Sequence, residues 1–250
     1  MLELQTLSLS LADWVLIGTS FFTSFMAAVA GLGGGVLLLS VMVSFFPPTV
    51  VIPLHGVIQL GSNGFRALLM RHFFKRDILL AFTLGSIIAG IFGSQVVVNL
   101  DETLLKIILG IFILYMVWGP KLPFVNTKGK LRFYLGGFIS TFASLFIGAS
   151  GPITAAFMGR ENLSKEAKVA THAAIMSIQH GLKIIIFGFM GFAFYDYALL
   201  IILMLITGVF GTYVGRHMLF KIPESVFHIL SKTVITLLAL RLLYSALFAS

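Results

Sequence analysis

His55, Gln59, Ser62, Asn63 and Arg66 interrupt an otherwise apolar run near residues 50–71. At 100° per residue they fall within roughly a 100° arc, so a helix there carries one polar face. His172, Met176, Gln179, His180 and Lys183 stand at the same spacings later in the chain. A lone polar residue in a membrane helix often only ties helices together, and Gln59, Ser62 or Gln179 could each do that. Arg66 and Lys183 ask for more. An unpaired cation at membrane depth costs at least ~2.5–3.5 kcal/mol. Asp and Glu are nearly missing from the apolar runs, since Asp13, Asp77, Asp196 and Glu224 stand at their ends. The natural partner is then a mobile anion. Snorkelling of both cations to the headgroups is the competing account.

Two glycine clusters carry the second kind of chemistry. Gly31-Leu32-Gly33-Gly34-Gly35 breaks one apolar run, and Gly148-Ala149-Ser150-Gly151-Pro152 breaks another. So much glycine disfavours a continuous helix, and Pro152 suits the first turn of a new one. Exposed N–H groups at such a start, with the positive end of the helix dipole, suit an anion. Gly33, Gly34, Gly35, Ser150 and Gly151 therefore join the candidate anion-binding set with His55, Gln59, Asn63, Arg66, His172, Gln179, His180 and Lys183. Close packing through small residues is the other reading of the glycines. Gly90/Gly93 and Gly208/Gly211 read as packing faces.

The elements that must position these residues follow from composition. The chain is 58% hydrophobic and 10% charged, against about 25% charged in a soluble domain. It cannot cover its surface with polar groups, so the expected class is all-α integral membrane. Cysteine is absent, which excludes disulfides and thiolate metal sites. The net charge of +8 does not imply nucleic acid, because the basic residues cluster in short gaps between apolar runs. The acidic start, with no basic segment before its apolar run, makes a poor signal peptide.

Eight apolar stretches are long enough to span, at roughly 12–30, 50–71, 77–98, 103–119, 131–149, 167–188, 196–217 and 224–246. Two short pieces, near 34–46 and 152–159, read as re-entrant or half-helices. Basic residues fill the gaps at Arg71–Arg76, Lys121–Arg132, Arg160–Lys168 and Arg216–Lys221. All four gaps are cytoplasmic only if each short piece also reverses the chain, and both termini then lie outside.

Five segments per half is an odd number, so homologous halves would be inverted. At one constant offset Phe21 meets Phe138, Gly34 meets Gly151, His55 meets His172 and Arg66 meets Lys183. Inverted repeats mark secondary transporters, with the site between the repeats near the midplane. The expected organisation is repeat 1–119, a cytoplasmic linker 120–130 and an inverted repeat 131–250.

The Ala30-Gly31-Leu32-Gly33-Gly34-Gly35 break, the short apolar pieces, the central loop and the internal repeat resemble the TauE/SafE family of sulfite exporters and related anion permeases. The likeness spans about residues 12–246. The second glycine motif departs from the first at Ser150 and Pro152, and the proline expected soon after the first glycines comes late, at Pro47 and Pro48. The resemblance implies an inner-membrane permease for small sulfur-containing anions or organic acid anions, such as sulfite, thiosulfate or sulfonates. The expected function is a secondary transporter, not an enzyme, with membrane lipid and a small anion as partners. No cofactor, metal or nucleic acid is expected, and homo-oligomerisation is left open. The alternative is a membrane haem or metal redox protein using His55, His172 and His180.

Overall fold

A computed structural model describes residues 9–30, 33–97, 101–119, 129–159, 161–218 and 224–248. Among these residues there is no strand. Ten α-helices follow in order: α1 (Leu11–Ala30), α2 (Gly34–Met42), α3 (Pro48–Leu69), α4 (Arg76–Val97) and α5 (Glu102–Trp118), then α6 (Leu131–Ile147), α7 (Gly151–Met158), α8 (Lys165–Phe189), α9 (Ala198–His217) and α10 (Glu224–Phe248). Gly31, Leu32, Arg160, Lys221, Lys121 and Lys128 lie outside the described residues, as does nearly all of the expected linker.

Local chemistry explains the boundaries. Pro48 opens α3 behind Pro47 at the N-cap, where the missing N–H is harmless. Asp101 caps α5, its Oδ1 accepting from the amides of Thr103 (2.8 Å) and Leu104 (3.1 Å). Ser164 caps α8 by accepting from the amide of Ala167. The two short expected pieces are α2 and α7. Each follows a glycine with positive φ, Gly33 at 92° and Gly148 at 71°, a region that L side chains rarely adopt.

Packing follows an exchange of α1–α5 with α6–α10. α1 lies against α9 and α6 against α4; α3 lies against α8 and α5 against α10. The first pairs interlock the two halves through glycine. A Cβ at Gly137 would sit 2.1 Å from the Phe82 carbonyl, and one at Gly211 would sit 2.2 Å from the Phe21 carbonyl. The expected packing faces are close as well: a Cβ at Gly93 would meet Leu145 at 2.5 Å, and one at Gly208 would meet Ser20 at 3.0 Å.

The outer surface is apolar. Leu84, Ile88 and Ile91 of α4 are exposed, as are Ile202, Ile206 and Phe210 of α9, which suits lipid contact. Among the described residues, four helical stretches are long and apolar enough to cross a membrane: Leu11–Val29, Arg76–Val96, Lys165–Phe189 and Phe194–His217. Eight crossings are expected from the apolar runs. The physical reason for the shorter set is plain in α3, where the polar stripe lowers the hydropathy, and in α5 and α6, which are 17 residues each.

Candidate functional site

The polar faces of α3 and α8 turn inward. His55, Gln59, Asn63 and Arg66 are buried on α3, and His172, Gln179, His180 and Lys183 are buried on α8. Both cations are almost fully enclosed, Arg66 at 2% and Lys183 at 1% exposure.

Their fixed partners are helix ends. Arg66 Nη1 donates to the Ala27 carbonyl at 2.8 Å, in the last turn of α1. Lys183 Nζ donates to the Gly148 carbonyl at 2.7 Å, at the C-cap of α6. A helix C-terminus leaves carbonyls unpaired and carries the negative end of the dipole, so a cation there is favoured. The mobile anion expected as their partner is not needed to pair these cations: with carboxylates scarce, backbone carbonyls beside the glycine breaks serve instead. Neither side chain snorkels outward. Arg66 Nη2 also donates to Asn63 Oδ1 at 3.2 Å, while its Nε has no partner. Asn63 Nδ2 in turn donates to the carbonyl and the Oε1 of Gln59, each at 2.9 Å.

The broken segments resume as α2 and α7, and neither N-terminus has a capping side chain. Ser150, at the N-cap of α7, donates instead to Gln179 Oε1 at 2.9 Å. Gln179 Nε2 donates to Ser140 Oγ at 2.6 Å. The histidines reach the same two short helices. His55 Nε2 donates to the Gly35 carbonyl at 2.8 Å, and His172 Nε2 donates to the Gly151 carbonyl at 3.0 Å. Because a carbonyl only accepts, each Nε2 carries the proton, and in the neutral ring each Nδ1 is a bare acceptor. Neither Nδ1 has a partner, nor has Nδ1 of His180. The His55 and His180 rings lie edge to face with centroids 5.7 Å apart.

A cavity of about 30 Å³ lies between the two helix starts. Its walls include Gly33, Gly34, Gly35, His55, Gln59, Asn63 and Arg66 from one half. Ser150, Gly151, His172 and His180 come from the other. Every candidate from the sequence thus lines it except Gln179 and Lys183. Gln179 ties α8 to α6 and α7, and Lys183 caps α6 behind the wall. The glycines divide by role. A Cβ at Gly34 would sit 2.1 Å from the Thr23 carbonyl, so this glycine permits close packing of α2 on α1. One at Gly151 would meet only the His172 ring, at 3.7 Å.

The carbonyls of Ala27 and Gly148 and the hydroxyl of Ser140 are absent from the sequence candidates; Ser150 is among them, but its hydroxyl holds Gln179. A cation on the helix that follows a glycine break was the available signal. Among the described residues, no Asp or Glu lines the cavity. The redox alternative finds no support: among the described residues no group of three or more His, Cys, Asp or Glu is placed to hold a metal ion. Two of the three histidines bind backbone carbonyls through Nε2, and the cavity is far smaller than a haem.

Comparison with known proteins adds a family. The model described as sulfite exporter TauE/SafE matches residues 16–242. A curated relative from Haemophilus influenzae, named "Probable membrane transporter protein", is 27% identical over 183 residues, covering 67% of this chain and 70% of the relative. No solved structure matches the chain.

Proposed function

The chain belongs to the sulfite exporter TauE/SafE family and is a multi-pass membrane transporter; from this premise we propose that it carries a small anion, bound in the cavity between its two halves. One observation carries the reading. Two uncapped helix N-termini, α2 and α7, meet at one cavity with Arg66 in its wall and, among the described residues, no carboxylate. Each N-terminus presents N–H groups and a positive dipole end. The Arg66 Nε adds a charged donor without a partner. Arg66 also caps the C-terminus of α1, and Lys183 caps that of α6, so the cavity gathers donors and positive dipole ends with no carboxylate among the described residues of its wall.

Size narrows the class. A water needs roughly 10–15 Å³ by the same kind of measure, so the cavity accommodates a few heavy atoms. A compact inorganic oxyanion such as sulfite or thiosulfate fits this scale better than an extended organosulfonate, which would require the helices to part.

The repeat gives the transport cycle its form. α1–α5 and α6–α10 correspond in order and in packing, and the odd segment count makes them inverted in the membrane, with eight crossings and two half-helices. The halves are residues 1–119 and 131–250, joined by a cytoplasmic linker. Basic gaps on the cytoplasmic side of a bacterial inner membrane place both termini outside. Rocking of one half against the other would then open the same cavity to each side in turn.

The test is exchange of radiolabelled anions in proteoliposomes, using sulfite, thiosulfate, sulfate, sulfoacetate and a monocarboxylate. Saturable exchange of the small oxyanions is expected. Exchange of none of them, or transport of a neutral solute instead, would remove the proposal.

A further inference from the structure

We infer that His55, His172 and His180 form a site for a proton that crosses the membrane together with the anion. The inference rests on the anion reading above and adds the coupling ion.

The tautomers carry the argument. With Nε2–H held on the carbonyls of Gly35 and Gly151, His55 and His172 in their neutral forms each keep a bare Nδ1. Both of these atoms are buried without a partner, and both rings line the cavity. A lone pair repels an anion's oxygen. Only a proton on Nδ1 turns the ring into a second donor. The anion's approach to the rings thus requires a proton.

The converse also holds. The charged and titratable groups that face the rings are Arg66 from α3 and Lys183 from α8, with the three rings themselves. Arg66 lines the cavity together with the three rings; Lys183 follows His180 by one turn of α8 and lies against Gly56, the neighbour of His55 in the chain. Among the described residues, α1, α2 and α7 bring no titratable side chain to the cavity. A further positive charge beside two cations is opposed until an anion is present. Proton and anion therefore favour each other's binding, and such coupling is reciprocal. The proton is taken from water on one side and returned to water on the other, and no covalent step is involved.

Two uses of proteoliposomes test this with thiosulfate, which carries no titrating proton near neutral pH. First, an inward proton gradient across wild-type vesicles should drive labelled thiosulfate above its external concentration, and thiosulfate addition should draw protons inward past an internal pH dye. Second, in the variant carrying His55→Gln and His172→Gln, the ratio of protons to thiosulfate in whatever flux remains should fall towards zero. Wild-type exchange of thiosulfate with no proton movement and no accumulation would overturn the inference while leaving the anion reading intact. An unchanged proton ratio in the variant would also overturn it. If wild type moved none of the test anions, the anion reading itself would fall and this inference with it.

Discussion

Lys183 Nζ donates to the carbonyl of Gly148 at 2.7 Å, so a buried ammonium closes the end of the helix that the second glycine cluster breaks. Arg66 does the same for Ala27 at the first break. In each half the cation two elements downstream neutralises the C-terminal side of the gap, and the N-terminal side is left open to the cavity.

Lys183 is therefore expected to act first on stability. Lys183→Met leaves the Gly148 carbonyl without its charged donor and should cost about 1.5–3 kcal/mol, the scale of a hydrogen bond to a charged group. Thermal melts of the purified protein in detergent check this. A melt equal to wild type would mean that the cap contributes nothing.

Arg66 should affect binding as well. Arg66→Gln removes the charge and the unpartnered Nε donor from the cavity wall. Loss of a charge-assisted hydrogen bond, about 1.5–3 kcal/mol, weakens anion affinity by roughly 10–150-fold. Arg66→Lys should be intermediate, keeping charge but losing the planar fork. Equilibrium titrations with thiosulfate distinguish these variants. Full affinity in the Gln variant would place the anion elsewhere.

The glycines should separate by position. Gly34→Ala drives a Cβ to 2.1 Å from the Thr23 carbonyl and should lower the yield of folded protein. Gly151→Ala meets ordinary contact distances; it should fold normally and shift anion affinity by less than Arg66→Gln. Size-exclusion profiles beside titrations read both effects. Equal loss of folded protein in the two variants would return Gly151 to packing.

Much of the grouping around the cavity was legible because rare residues repeat. His55 and His172, and Arg66 and Lys183, stand at one offset, and helical periodicity puts each pair of stripes on a face. The short helices α2 and α7 followed from glycine and Pro152. The partners of the cations were not legible. They are backbone carbonyls of Ala27 and Gly148, and a backbone group has no signature in sequence. Gln179 was similarly opaque: its bonds to Ser140 and Ser150 depend on how α6, α7 and α8 meet, which periodicity along one helix does not encode. α3 and α5, where the sequence reads two crossings, fall outside the stretches long and apolar enough to span, because a polar stripe interrupts α3 and α5 is 17 residues long.

Topology has a direct check in this cysteine-free chain. Cysteine replacing His72 or Lys168, one at a time, should react with an impermeant reagent only from the cytoplasmic side. Cysteine replacing Tyr195, which is 79% exposed, should react only from outside. Labelling of position 168 from outside would break the inverted arrangement.

The central claim is that an oxyanion sits between the starts of α2 and α7. Anomalous diffraction from crystals grown with selenite, a heavy-atom stand-in for sulfite, tests it most directly. The account predicts a selenium peak in the cavity, within hydrogen-bond reach of the first turns of α2 and α7 and of the Arg66 guanidinium. An empty cavity at saturating selenite, with the anion bound elsewhere or not at all, would contradict it.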